Sequence, residues 1–174
     1  MSAPGSRIDA GSSDFLVGGA LDEAMAAFTR AVILADRVDP LISELVRLRC
    51  AQVHDCRLCR SMRMQDALDA GLDDAMAASI ARYETGGFSG AAVAALRLTD
   101  AIILAPSLAD DALAEELHRH FDDAQIAEIC LDVMKWSYQK ILVSLRLETP
   151  PWKETAILSF DAHGDPVIGG PVGT

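Results

Sequence analysis

The sequence is poor in aromatic residues, which fill only 5% of its 174 positions. Sheets favour aromatic and β-branched side chains, whereas the Ala and Leu that are abundant here are strong helix formers. No segment alternates apolar and polar residues with a period of two over several strands. The composition therefore predicts an all-α fold, and a chain of this length suits one domain.

Basic residues are also few: 15 Lys and Arg stand against 26 Asp and Glu, which gives a net charge of −11. An acidic surface repels nucleic-acid phosphates and anionic lipid headgroups, so neither nucleic acid nor a membrane is an expected partner. No apolar run approaches the roughly 20 residues of a membrane span, and the first residues lack a signal-peptide pattern. We therefore expect a cytoplasmic protein, in which static disulfides are rare.

Cysteine is scarce, with four residues in the chain, yet Cys56 and Cys59 form a Cys-x-x-Cys pair. This spacing allows a disulfide, half of a metal site, or simple packing in a core. Zinc needs four ligands, and only Cys50 and His54 lie near the pair, so no metal and no other cofactor is predicted. Cys50 and Cys130 fall on apolar helix faces and are predicted to be inert core residues.

Apolar residues recur every three or four positions through most of the chain, which predicts a series of amphipathic helices. Asp39 before Pro40, Ser89, and Asp122 or Asp123 are helix-start signals, and Gly71 is a helix-end signal. The predicted helices cover residues 16–36, 40–53, 57–70, 73–83, 91–104, 107–121 and 124–145.

The predicted organisation has three parts: a loose arm at 1–14, a helical domain at 15–149, and an extended tail at 150–174. Within the tail, residues 155–160 are compatible with a short strand or another helical turn. The order helix, charged turn, helix occurs around Asp39 and again around Asp122, with Glu44 and Glu128 at similar points. This recurrence hints at a duplicated helical unit.

The cysteine pair is predicted to begin a helix, where backbone N–H groups and the helix dipole favour a thiolate. Arg57, Arg60 and Arg63 add positive charge nearby. A pair of reactive thiols at this spacing reduces a peroxide or a disulfide, because one thiolate resolves an adduct on the other. The alternative is that both cysteines are small buried hydrophobic residues.

The pattern of Glu44, Cys56 twelve residues later, Cys59 and then Gly71 resembles the carboxymuconolactone decarboxylase-like superfamily. The closest likeness is to its alkylhydroperoxidase D branch, and it covers roughly residues 20–150, including Phe121 to Glu128. The resemblance implies an all-helical fold and a homo-oligomer, either a trimer or a hexamer. It also implies thiol-dependent reduction of a hydroperoxide, with a dithiol protein as the reductant.

By that resemblance Cys59 is the attacking thiol, Cys56 is its disulfide partner, and Glu44 belongs to a proton relay. Peroxidase members of the family carry a histidine four residues after the second cysteine, where this chain has Arg63. We expect antiparallel helices to bring Glu44 and Arg63 into an ion pair. An arginine cannot shuttle a proton because it stays charged, so the relay is predicted to be interrupted.

His54 is the nearby side chain that titrates near neutrality, and it is a candidate replacement base. Without such a base the chain is expected to be a slow peroxidase or a dithiol–disulfide exchanger. A second hypothesis is a non-catalytic helical oligomer that binds a small ligand. A third is a decarboxylase or lactone-processing enzyme, for which the sequence shows no recognisable acid–base set. Replacing Arg63 by histidine is expected to raise the peroxidase rate if the missing histidine limits it.

Overall fold

The structure, a computed structural model, describes residues 19–173, so the predicted arm at 1–14 lies outside the described residues. Most of the described chain is helical, as predicted, and a small sheet is added to the helices. The helices are α1 (Ala20–Ile33), α2 (Pro40–Val53), α3 (Arg57–Arg60), α4 (Gln65–Asp69), α5 (Asp74–Ser79), α6 (Gly90–Leu104), α7 (Asp111–His120), α8 (Asp123–Trp136) and α9 (Gln139–Ser144). Two 3₁₀ helices span Ile80–Thr85 and Pro106–Leu108, and the strands are β1 (Met62–Met64), β2 (Ala156–Phe160) and β3 (Pro166–Pro171).

Several helices begin where side-chain caps were predicted. The Asp39 carboxylate accepts the backbone N–H of Leu41 at 2.8 Å, just before Pro40 opens α2. Asp122 and Gln125 form a reciprocal capping box at the start of α8. These caps satisfy N–H groups that have no partner within the helix, so local sequence determines the helix starts.

The core lies where α2, α6 and α8 pack against one another. These helices contribute fully buried apolar side chains, among them Leu45, Val46, Leu96, Ile129 and Val133. Within residues 19–173, no single helix is long and apolar enough to cross a membrane, and one bent pair of helices meets the test by length and composition alone.

The prediction of one continuous helix over 57–70 is wrong, because a short strand interrupts it. After the four residues of α3, the chain extends into β1, and α4 follows directly. The cause is tertiary: β1 pairs in parallel with β2, and the backbone N–H of Ala156 donates to the carbonyl of Ser61 at 2.9 Å. Helix propensity is a weak preference, and pairing with a distant strand overrides it here.

The predicted helix at 124–145 is divided as well, because α8 ends at Trp136 and α9 begins at Gln139. The predicted extended tail contains an antiparallel pair, β2 and β3, so residues 156–160 form a strand and not a helical turn. Ala156 and Leu158 of β2 are buried. The sheet therefore places the end of the chain directly against the segment that follows the cysteine pair.

Candidate active site

Cys56 and Cys59 lie at the start of α3 and are joined by a disulfide, with their Cα atoms 5.4 Å apart. Cys56 caps the helix, because its sulfur accepts the backbone N–H of Cys59 at 3.3 Å. Cys56 is fully buried, whereas Cys59 keeps 5% of its surface exposed. Both cysteines are thus buried in the disulfide form, and Cys59 is the slightly less buried residue of the two.

The other two cysteines are free thiols outside this pair. Cys50 is buried, and burial raises the pKa of its thiol to about 12. Cys130 is half-buried, and burial raises the pKa of its thiol too. Both are therefore protonated at neutral pH and poorly reactive, as expected of core cysteines.

Arginines flank the cysteine pair, but nearby carboxylates neutralise part of their positive charge. Arg57 Nη2 donates to Glu148 Oε1 at 2.8 Å, and Arg60 Nη1 lies 3.7 Å from Asp55 Oδ1. The helix α3 has only four residues, so its dipole is small. The thiolate stabilisation predicted from charge and dipole together is correspondingly reduced.

Glu44 and Arg47 form a fully buried ion pair beneath the cysteine pair. Arg47 Nη2 donates to Glu44 Oε1 at 2.6 Å, and Arg47 Nε donates to the other carboxylate oxygen. The same guanidinium donates to the carbonyls of Cys59 and Met62, each at 2.7 Å. Glu44 Oε1 also accepts the N–H of Met64 at 3.2 Å. Glu44 is therefore held in place by several donors and is not a free base.

The predicted ion pair between Glu44 and Arg63 is wrong. Arg63 lies on β1, where its Nη1 donates to the carbonyls of Arg60 (2.9 Å) and Met62 (2.8 Å). Its nearest carboxylate is Asp74, with Nη2 and Oδ1 4.0 Å apart. The expected increase in peroxidase rate on replacing Arg63 by histidine depended on this ion pair, because the relay needs a Glu44 that can exchange a proton. That expectation therefore loses its basis.

His54 caps the C-terminal end of α2, two residues before Cys56. Both ring nitrogens are buried without a hydrogen-bond partner among the described residues. Burial, together with the charge of Lys140, lowers the pKa of His54 to about 4. The imidazole is therefore neutral at pH 7 and only weakly basic, and its catalytic role stays a prediction.

Three residues at the site were missed from the sequence: Arg47, Glu148 and Trp152. Arg47 was detectable, since a cation three residues after Glu44 on a predicted helix is an ion-pair signal. Glu148 is fully buried beside α3, and its carbonyl accepts the N–H of Leu58 at 2.8 Å. Trp152 Nε1 donates to Ser61 Oγ at 2.9 Å. Glu148 lies at the end of the predicted helical domain and Trp152 lies in the predicted tail, and no local pattern indicated that this segment returns to the cysteine pair.

No group of three or more His, Cys, Asp or Glu side chains within residues 19–173 is arranged to hold a metal ion. The site itself consists of two cysteines that close a disulfide and the fixed, buried ion pair of Glu44 and Arg47.

Comparison with known proteins gives relatives that share a large part of this chain. Two uncharacterized Mycobacterium tuberculosis proteins, MT2376 (strain CDC 1551 / Oshkosh) and Rv2313c (strain H37Rv), are each 39% identical to it over 124 residues, or 71% of the chain. The chain spans only 44% of the length of each of these relatives. No family model matches the chain.

Among solved structures of similar fold is a protein of unknown function from Agrobacterium tumefaciens (ATU0492), suggested to be the antioxidant defence protein AhpD. Its TM-score is 0.65 at 21% sequence identity, and the match covers 77% of this chain and 92% of that one. Identity at this level speaks for the fold and not for the activity. The chain therefore shares the helical fold of that solved protein.

Proposed function

We propose that the reduced chain reduces hydroperoxides through Cys59 and Cys56. The observation that carries this proposal is the Cys56–Cys59 disulfide, which is the oxidised product such a reaction leaves. The fold that the chain shares with a suggested antioxidant defence protein supports the same reaction class.

The reaction begins with the thiolate of Cys59, the less buried residue of the pair. It attacks the terminal oxygen of the hydroperoxide, the O–O bond breaks, and the alkoxide leaves and takes up a proton to become an alcohol. Cys59 then carries a sulfenic acid. The Cys56 thiolate displaces hydroxide from that sulfur, so a disulfide and water form. A dithiol partner returns both cysteines to thiols by exchange, and two electrons pass from it to the peroxide.

The proton for the departing alkoxide comes from solvent in this proposal. Glu44 is held by Arg47, and Arg63 stays charged at any working pH. General acid catalysis contributes typically 10²–10⁴-fold, so we expect this chain to be slower than a peroxidase with an intact relay.

A second candidate function is a small-ligand binder without turnover. Two observations favour it: the carboxylate of Glu44 is held by several donors, and the chain has a cavity of about 620 Å³ whose wall includes Arg60 and Arg63. In that case the disulfide would serve to hold α3 in place.

One assay separates the two functions. The protein is first reduced, so that all four cysteines are free thiols. It is then mixed with one equivalent of cumene hydroperoxide, and the free thiols are counted over minutes. We expect the wild type to lose two thiols and Cys59→Ser to lose none. Cys56→Ser is expected to stop at a Cys59 sulfenic acid, which dimedone labels.

The matched control is Cys130→Ala, which removes a thiol outside the pair and is expected to lose two thiols like the wild type. If the wild type loses no more thiols than Cys59→Ser, the peroxidase proposal fails and the ligand-binding function is favoured. If Cys56→Ser loses no thiol but Cys59→Ser forms the dimedone adduct, the roles of the two sulfurs are reversed.

A further inference from the structure

A cavity of about 620 Å³ opens on the side of the molecule where α2, α5 and the chain after Cys59 meet. This volume lies in the range of small-molecule sites, roughly 300–1,000 Å³. One part of its wall is apolar and includes Leu48, Val53 and Ala77, and another part carries arginines. Arg60, the residue directly after Cys59, belongs to that second part.

The arginines of the wall differ in how well they are neutralised. Arg49 forms two hydrogen bonds with Asp100, at 2.7 and 2.8 Å, and its guanidinium stacks over the Tyr83 ring. Its charge is thus satisfied within the protein. Arg60 is half-exposed, and its ion pair with Asp55 is long, at 3.7 Å. The unsatisfied positive charge of the cavity therefore lies at Arg60 and Arg63.

Arg63 has one guanidinium edge that is not paired within the described part of the protein. Its Nη1 is fixed by two backbone carbonyls, those of Arg60 and Met62, so the guanidinium plane is held. Its Nε is buried without a hydrogen-bond partner in the described part of the chain. Its Nη2 lies 4.0 Å from Asp74, beyond hydrogen-bond distance, and the Asp74 side chain is 87% exposed while that of Arg63 is 13% exposed. The Nε–Nη2 edge is the side of a guanidinium that pairs with both oxygens of a carboxylate.

An unused acceptor lies in the same wall. Gln52 Oε1 is buried without a partner among the described residues, while Gln52 Nε2 makes a long bond of 3.4 Å to the carbonyl of Ala77. A buried acceptor without a donor is costly, and a ligand O–H group would satisfy it. The cavity thus offers an anion-binding edge, one acceptor and an apolar wall.

We propose that this cavity binds a small organic monocarboxylate, with its carboxylate on the Nε–Nη2 edge of Arg63 and its apolar body against Leu48 and Val53. In a chain with a net charge of −11, the two weakly paired arginines make this a local site that attracts a single anion. Binding displaces the long contact between Arg63 and Asp74 and gives Nε a partner.

The site also defines a substrate class, a step that rests on the proposed peroxide reduction. A hydroperoxide that carries a carboxylate would be anchored by Arg63, in a wall that also contains Arg60, the residue directly after Cys59. Arg63 then binds substrate in place of relaying a proton.

The binding test uses octanoate as the probe and the disulfide form of the protein, so that no thiol chemistry takes part. Isothermal titration calorimetry is expected to give one site per chain for octanoate and at least about ten-fold weaker binding for octanol, since charge-assisted hydrogen bonds are lost. Octyl phosphate is the comparison anion. If it binds more tightly than octanoate, the carboxylate assignment is overturned.

The variants are Arg63→Gln, Arg63→Lys and, as matched control, Arg119→Gln, which removes an exposed arginine on α7. Arg63→Gln is expected to weaken octanoate binding about ten-fold or more, and Arg63→Lys less, because it keeps the charge without the fork. Arg119→Gln is expected to bind like the wild type. Equal binding by Arg63→Gln and Arg119→Gln would overturn the proposal.

A further variant, Ala78→Phe, guards against misfolding of Arg63→Gln. Ala78 lines the cavity and is exposed, so its replacement by Phe is expected to fill space without unfolding the chain. Octanoate binding should fall in this variant while its melting temperature stays near that of the wild type, and unchanged binding would count against the cavity. If the protein binds octanoate but loses no thiols to cumene hydroperoxide, the carboxylate site is supported and the peroxidase proposal fails. If it loses thiols but does not bind octanoate, the peroxidase proposal is supported and the carboxylate site fails.

Discussion

At the scale of single residues, the buried pair of Glu44 and Arg47 is the feature on which the cysteine segment rests. Arg47 joins the Glu44 carboxylate to the carbonyls of Cys59 and Met62. A buried ion pair is weak evidence for stability as such, but losing one partner leaves an uncompensated charge. The pair therefore fixes the position of the cysteines more than it strengthens the fold.

Replacing Arg47 by Met is expected to lower the free energy of unfolding by about 3–5 kcal/mol, because Glu44 is left buried and unpaired. Urea unfolding at pH 7 measures this loss. The matched control is Arg97→Met, which breaks the more exposed pair with Glu116 and is expected to cost about 0–1 kcal/mol. Similar losses in the two variants would contradict this account of the buried pair.

His54 predicts a pH dependence of stability. Its folded pKa is about 4, below the ordinary value of 6.5, so the native state binds fewer protons than the unfolded state between these pH values. The contribution of His54 to stability is therefore full above pH 6.5 and is lost as pH falls towards 4.

Relative to His54→Gln, the wild type is expected to lose about 1–3 kcal/mol of unfolding free energy between pH 7 and pH 4.5. Urea unfolding of both proteins at the two pH values measures the difference, which cancels the titration of other groups. A wild type and a variant with parallel pH profiles would mean that the His54 ring is not desolvated in the native state.

At the scale of elements, the sheet is what the sequence did not reveal. Helix caps such as Asp39 and Ser89 depend on neighbouring residues, so the starts of α2 and α6 were predictable. The partner of Glu44 was mispredicted for a different reason. Whether Arg63 faces Glu44 depends on the path of the chain after Cys59, and that path is determined by pairing of β1 with a distant strand.

Leu158 of β2 tests whether this sheet supports the molecule. Leu158→Ala is expected to destabilise the protein by about 2–5 kcal/mol, because the side chain is 4% exposed and its removal leaves a cavity. Its partner on β3, Ile168, is 44% exposed and supplies the matched control. Ile168→Ala should cost less than about 1 kcal/mol by urea unfolding. If Leu158→Ala is equally mild, β2 is not part of the cooperative core.

At the scale of the whole molecule, the sequence was enough to predict the helical fold and the importance of the cysteine segment, but not the oligomeric state. The homotrimer or hexamer implied by the family resemblance stays a prediction. Leu131 and Met134 on α8 are large and exposed, one turn apart, which is the kind of surface that association covers. The match fills 44% of each relative from Mycobacterium tuberculosis, so most of the length of those proteins lies outside the matched region.

The contact between Arg57 and Glu148 joins residues 91 positions apart. Contacts of such long separation form late in folding, because a large loop must close first. During synthesis on the ribosome, Cys56 and Cys59 therefore emerge well before the segment that shields them. The nascent chain therefore passes through a stage in which the cysteine pair lacks its contact with the Glu148 segment, and both thiols are then more open to oxidants and reductants than the buried pair of the folded protein.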